Sequence, residues 1–451
     1  MAHIAHDPDA RPDMRTTHDL RVVLPRTAEV RGDRLFIGGV DVVELAQTRG
    51  TALYVMDEAH IRGQLRSLIS ALRSRYERSE VAYAGKAFTS KAMVALVGEE
   101  GGCLDVSSGG ELAIARAAGF SMKRVVVHGN NKTLLELVEA IDAGVGRIVV
   151  DCFEELERIS ALATERASTQ AILLRIAPGI VADTHEYLQT GGEDSKFGFG
   201  IASGAALDAI RRALDAPGVV LKGLHCHIGS QIFALDSFAK AIEVMADLIA
   251  SVRTETGFIT EDLDLGGGLG IAYQAADKPS DVEQFAEVIT SAVKREFGAR
   301  DLPLPLVTVE PGRSIVANAG VTLYTVGAVK EIPGIRTYIA VDGGMTDNIR
   351  TALYDARYES ILANKADQPR STLVTIAGKH CESGDVILID TPLQPAEPGD
   401  TLCVFTTGAY NQSMASNYNR QVRPGVVFVK DGIVREVLRR ETYDDLMRCE
   451  V

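Results

Sequence analysis

The side chain in this 451-residue chain best placed to do chemistry is Lys86. It closes the stretch Val81-Ala82-Tyr83-Ala84-Gly85-Lys86, which reads as a short buried strand ending on a single lysine. Taking an ammonium out of water is costly. A lysine so placed has a depressed pKa, which frees its amine to attack carbonyls and form a Schiff base. The plain alternative is a lysine that snorkels from the strand end into water. Two glycine clusters suggest what could meet such an amine. They are Gly266-Gly267-Gly268-Leu269-Gly270 and Glu310-Pro311-Gly312-Arg313. Glycines let backbone amides approach phosphate oxygens, and an arginine adds a bidentate partner. A tight turn alone would explain the first cluster equally well. Glu310 stands beside the second cluster. A carboxylate facing a pyridine nitrogen keeps it protonated and so makes an electron sink; a core glutamate paired with Arg313 is the alternative. In His225-Cys226-His227, strand periodicity puts both imidazoles on one face. They could form a metal pair completed by His128 and Asp151. In the favoured reading His227 lies flat against a cofactor ring. Together the amine, the phosphate loops and the acid point to pyridoxal 5'-phosphate, with no metal.

These residues need a frame that gathers strand ends. Buried runs recur from Lys86 onward, each closing on a polar or glycine residue and each followed by a helical stretch. The ends fall at Lys86, Asp105, His128, Asp151, Arg175, His227, Gly266 and Glu310. The first five lie 19, 23, 23 and 24 residues apart, about one strand-helix unit and too long for hairpins. Ser108-Gly109-Gly110-Glu111 and Thr133-Leu134-Leu135-Glu136 read as capping boxes. Gly101-Gly102 and Gly144 are placed to end helices. Eight such units predict an α/β fold, a (β/α)8 TIM-like barrel over 57–320, with an open doubly wound sheet as the alternative. On a barrel the ends converge on one face, and the loops after strands seven and eight hold phosphate. The oversized unit between Arg175 and His227, with Pro178–Gly198, is a candidate binding loop. Past Val321 strand-like runs follow one another without helices, and Lys430-Asp431-Gly432 marks a hairpin. This predicts a second, all-β domain (sandwich- or barrel-like) over 18–56 and 321–451, which takes in the early strands near Arg34 and Ala52.

A net charge of −14 argues against nucleic acid and anionic membrane as partners. Six scattered cysteines without a CxxC pair argue against a disulfide framework or structural zinc and fit a reducing cytoplasm. No apolar run approaches the roughly 20 residues of a membrane span. Residues 1–17 are polar and read as a disordered tail.

The chain resembles diaminopimelate decarboxylases, within the fold type III pyridoxal-phosphate group that also holds ornithine decarboxylases and alanine racemases. The matching motifs keep their order from about residue 35 to 445. They are YAGKAF (83–88), SSGGEL (107–112), HGNNK (128–132), KFG (196–198), GLHCHIGSQ (223–231), DLGGGLG (264–270), EPGR (310–313), VDGGMTDNIRTALY (341–354), CESGD (381–385) and GAY (408–410). The resemblance implies decarboxylation of meso-2,6-diaminopimelate to L-lysine and CO2, the last step of lysine biosynthesis. It implies that Lys86 carries the cofactor, that His227 stacks on its ring and that Glu310 pairs with its pyridine nitrogen. Ser230, Gly268, Pro311, Gly312, Arg313 and Tyr410 would line the cofactor, chiefly at its phosphate. Arg313, Arg350, Tyr354 and Tyr410 would hold substrate carboxylates. Cys381 would be the proton donor and Glu382 the ligand of the distal amine, both reaching into the partner's site in a homodimer with shared active sites.

Phe88 and Thr351 depart from the wider family, where asparagine and proline are frequent, and bear on local geometry alone. Two arginines with Glu382 suit a substrate with two carboxylates and a distal ammonium. Competing readings are a decarboxylase of ornithine, lysine or arginine, and a non-catalytic cofactor-binding protein. A racemase would place an arginine where Glu310 stands.

Overall fold

In a computed structural model, residues 11–12, 14–180 and 195–451 are described. The chain divides into two compact units, Gln64–Gly270 with Pro279–Ser314, and Met1–Gly63 with Ile271–Lys278 and Ile315–Val451.

The first unit is a closed parallel barrel. Its strands are β1 (Ser79–Ala84), β2 (Cys103–Val106), β3 (Val125–Val127), β4 (Arg147–Val150), β5 (Gln170–Ala177), β6 (Val219–Cys226), β7 (Asp262–Asp264) and β8 (Leu306–Val309). Neighbours in sequence pair in parallel, and β8 closes on β1 with Val307 opposite Ser79 and Val309 opposite Val81. Helices cover the outside and side chains fill the inside. The strands are therefore almost continuously apolar and buried instead of alternating. The expected strand count and wrap are those observed.

Several strand ends are not where the sequence put them. β1 stops at Ala84, and Lys86 stands on a 3-10 turn, Gly85–Ala87. β3, β4 and β8 likewise stop just before His128, Asp151 and Glu310. The chemistry-bearing residues therefore ride the turns that leave the barrel. Thr133 and Glu136 form the expected reciprocal cap. The box expected at Ser108 is only half formed: Ser108 accepts from Glu111 N, but Glu111 Oε2 accepts from Ser107 N. The next amide along, Gly109 N, donates to Glu136 Oε1, so the Glu136 carboxylate serves two helix starts. Most of the candidate loop Pro178–Gly198 lies outside the described residues. Beyond it Phe199–Gly200 pairs with the end of β5, a strand the sequence did not suggest.

The second unit is mostly sheet. The long strand Gly320–Ile332 pairs with Leu53–Asp57, Arg336–Val341 and Thr401–Val404. The early strand at Ala52 thus has its partner here, while Arg34–Ile37 joins a separate three-stranded sheet. The hairpin Gly425–Lys430 to Ile433–Leu438 turns at Asp431 and Gly432, both at positive φ, as a two-residue hairpin loop requires. Helices Val42–Arg49, Arg350–Tyr354 and Tyr443–Met447 make the unit less purely β than its sequence texture suggests. Leu20, Leu35, Ile37, Val55, Val321 and Phe405 share its core. Most of the tail expected over 1–17 lies outside the described residues, but Thr17 is buried and donates to Ala366 O. Among the described residues no helix is long and apolar enough to cross a membrane.

Candidate active site

The carboxyl ends of the barrel strands bring ionisable groups together. Lys86 is exposed, which corrects the expectation of an amine buried at a strand end. Gly85 sets the turn: a Cβ there would lie 2.9 Å from Asp105 O and from Thr89 Oγ1. The Lys86 charge acts on Asp105, Glu111 and His227, so it faces the mouth of the barrel.

Glu310 follows β8 and is tied to the glycine turn by its amide, which donates to Gly266 O at 2.8 Å. Its side chain is buried. Oε1 lies 2.6 Å from His128 Nε2 and Oε2 lies 3.3 Å from His225 Nε2. Burial alone would raise its pKa, but the two imidazoles hold it well below the usual carboxylate range. Burial pulls His128 down, yet the Glu310 and Asp105 carboxylates leave it raised. Burial pushes His225 down to about 4. Asp264, on β7, is raised well above its ordinary value by burial and by Glu310. Farther round, Asp151 Oδ2 accepts from Gly198 N at 3.1 Å, and Arg175 Nε lies 3.8 Å from Asp151 Oδ1.

His227 is kept neutral by burial and by the nearby Lys86. A Cβ on Gly266 would come within 2.7 Å of its Nδ1, so that glycine is what lets the ring lie against the turn. Gly268, at φ +129, is as constrained, since a Cβ would stand 2.6 Å from Gly229 O. Ile232 N donates to Gly268 O and Gly270 N to Ile232 O, which stitches the loops after β6 and β7 together. Arg313 donates to Ser230 Oγ from Nε and Nη2, at 3.3 and 3.1 Å. Pro311 O accepts from Ala84 N at 3.3 Å, and Gly312 packs against Ala84 and Ala87. The barrel therefore gathers Lys86, His227, Ser230, Gly268, Glu310, Pro311, Gly312 and Arg313. It does not make the His225–His227 metal pair, because His225 turns to Glu310 instead. Two zinc ligands stand roughly 3.3 Å apart in tetrahedral geometry. The 2.6 Å approach of His128 to Glu310 is an ion pair with no room for an ion between.

The remaining expected residues lie in the sheet unit. Buried Arg350 donates from Nη1 to Tyr273 OH and Tyr358 OH, at 2.9 and 2.8 Å. Tyr354 shares its short helix, with the guanidinium 5.8 Å from the ring centre, as the four-residue spacing suggests. Tyr410 is half-buried at φ 61. Cys381 and Glu382 are exposed on a turn. Sequence reasoning missed what anchors that turn. His380 sits between Asp385 Oδ2, 2.8 Å from Nδ1, and Thr346 Oγ1, 3.0 Å from Nε2. The adjacency of His380 to Cys381 was the available signal. The pairing of His128 and His225 with Glu310 was likewise unseen, because it crosses the barrel.

Residues 61–317 match the family described as pyridoxal-dependent decarboxylase, pyridoxal binding domain. A diaminopimelate decarboxylase of Bacillus subtilis is 48% identical over 417 residues, 92% of this chain and 95% of that protein. One from Halalkalibacterium halodurans is 47% identical, over 94% of this chain and 97% of that protein. The chain belongs to the diaminopimelate decarboxylases. Family membership makes pyridoxal phosphate the cofactor. Among solved structures, the diaminopimelate decarboxylase from M. jannaschii superposes with a TM-score of 0.88 at 36% identity. That match covers 94% of this chain and 98% of the other.

Proposed function

We infer that this enzyme decarboxylates meso-2,6-diaminopimelate to L-lysine and CO2, the last step of lysine biosynthesis. The observation that carries this reading is near-complete alignment at 47–48% identity to diaminopimelate decarboxylases. The M. jannaschii relative has also been solved in co-complex with L-lysine, which supports lysine as the product here.

The barrel mouth fits the cofactor. Lys86 supplies the amine for an aromatic aldehyde, and buried ionised Glu310 suits a pyridine nitrogen. Neutral His227 presents a ring face. Ser230, Gly268, Pro311, Gly312, Arg313 and Tyr410 would line the cofactor around its phosphate. When bound, the cofactor supplies the electron sink for the pair left behind as CO2 departs. The protein's own residues do the rest. The guanidinium groups of Arg313 and Arg350 hold substrate carboxylates, assisted by the hydroxyls of Tyr354 and Tyr410. Tyr273 and Tyr358 fix the Arg350 fork before substrate arrives, so little entropy is lost on binding. Glu382 takes the distal ammonium. The Cys381 thiol holds the proton delivered to the α-carbon.

Cys381 and Glu382 stand exposed on their own subunit. We place them in the barrel mouth of a second copy, so that the working form is a homodimer with shared sites. Its six thiols are unpaired, which suits a cytoplasmic enzyme.

Purified enzyme supplied with meso-diaminopimelate should release CO2 and lysine in equal amounts. Ornithine and arginine should neither react nor compete well, and lysine, the product, should not react, since each lacks the second carboxylate. Turnover of one of them in preference to the diacid would reassign the substrate.

A further inference from the structure

We propose that His128, together with His225, is a positioning residue that keeps Glu310 an oriented carboxylate beneath the cofactor's pyridine nitrogen. The proposal rests on the reading of Glu310 given above and adds two residues to it.

The three groups come from the ends of β3, β6 and β8 and meet inside the barrel. Each oxygen of Glu310 faces one imidazole, His128 at 2.6 Å and His225 at 3.3 Å. The two rings stand edge to face, with centroids 5.0 Å apart. The His128 approach lacks ideal N–H···O alignment, so charge holds that pair more than direction does. Neither imidazole is loose. The His128 amide donates to Val106 O, and His225 is locked in the ladder opposite Arg175 and Asp264.

The proton inventory gives each ring a different part. His225 Nδ1 is buried without a hydrogen-bond partner among the described residues. A neutral His225 then carries its one proton on Nε2, toward Glu310. His128 Nε2 faces two carboxylates, Glu310 Oε1 at 2.6 Å and Asp105 Oδ1 at 3.9 Å, which favours its charged form. The other groups facing the cluster are Asp264 on β7, Arg175 on β5, and Lys86 and His227 at the mouth. Burial and the Glu310 charge both disfavour the charged form of Asp264. Without His128, the buried Glu310 would keep a proton of its own. It would then be a poor counter-charge for a protonated ring nitrogen.

The test uses full-length enzyme reconstituted with pyridoxal phosphate, comparing wild type, His128→Gln and His128→Leu. Glutamine keeps an N–H donor without the charge; leucine keeps neither. For leucine, kcat should fall about 10- to 100-fold, the scale on which outer partners act. KM for diaminopimelate should stay within about two-fold, because substrate is held by other residues. Pyridoxal phosphate should bind apoenzyme several-fold more weakly, read from the absorbance of the bound cofactor without any turnover. Glutamine should recover the cofactor affinity more fully than kcat. In a Glu310→Gln background, His128→Leu should cost nothing further.

A leucine variant with wild-type kcat and cofactor affinity, or full additivity with Glu310→Gln, would overturn the proposal. If His128→Leu does not fold, His128→Gln and His225→Leu carry the same comparison. Wild-type enzyme that binds cofactor but leaves diaminopimelate untouched would defeat the functional reading alone, since the affinity comparison would still decide the role of His128.

Discussion

Lys86 stands on a turn, not in a strand, and that difference sets what its removal should do. An exposed side chain contributes little to stability. Lys86→Ala should therefore melt within a degree or two of wild type while CO2 release falls below detection; a large loss of stability would mean the amine is structural. The buried pair His128–Glu310 behaves in the opposite way. The pKa of His128 is raised in the folded state, so its contribution is fully present below its unfolded value of about 6.5. It is lost as pH rises through the folded value. Glu310 is depressed, so its part survives until pH falls below the ordinary carboxylate range. The stability gap between wild type and His128→Leu should thus be wide at mildly acidic pH and narrow in alkali. Denaturant titrations across that range would check it, and a gap that widens with pH would contradict the assignment. Lys86, Glu310 and the glycine clusters are legible in the sequence because their residue types are unusual at strand ends. The partners of Glu310 are not, since closure of the barrel, and no local spacing, brings His128 and His225 to it.

At the scale of elements, one side chain couples two helices. Glu136 accepts from Gly109 N at 3.0 Å and from Thr133 N at 2.9 Å. These amide contacts, Gly109 first, hold its carboxyl below the usual range. Glu136→Ala should cost about 1–2 kcal/mol, the scale of lost caps. Because a depressed carboxylate stabilises only above its unfolded pKa, the difference should shrink as the wild type is acidified. Thermal unfolding at neutral and acid pH would show this. The glycine turn after β7 makes a second prediction. Gly268→Ala places a Cβ 2.6 Å from Gly229 O at a φ that disfavours side chains. It should weaken pyridoxal phosphate binding at least ten-fold, as dialysis of the cofactor would reveal. Strand and helix identities were readable from periodicity, and the hairpin at Asp431-Gly432 from turn chemistry. Strand ends were displaced by a residue or two, because pairing with the neighbouring strand decides where a ladder stops. The box at Ser108 is only half formed because the Glu111 carboxylate accepts from Ser107 N, one residue before the amide the box requires.

At the scale of the whole molecule, the barrel unit carries the expected cofactor residues other than Tyr410, and the sheet unit carries Arg350, Tyr354, Cys381, Glu382 and Tyr410. The barrel was legible as eight strand-helix units, and the sheet unit as strands without helices between them. Its split into a large and a three-stranded sheet was not, since strand order is set by pairing across long stretches of chain. The proposed homodimer with shared sites makes a distinctive prediction. Lys86→Ala and Cys381→Ala enzymes, each inactive, should regain about a quarter of wild-type activity after mixing and subunit exchange, because half of the sites in each mixed dimer are intact. Exchange without any recovery would place Cys381 in its own subunit's site or outside the chemistry.

The covalent address of the cofactor is the most direct measurement of what Lys86 does. Holoenzyme reduced with borohydride and digested should carry a phosphopyridoxyl group on the peptide containing Lys86 and on no other. A label on another lysine, or an unmodified Lys86 peptide from fully loaded enzyme, would contradict it.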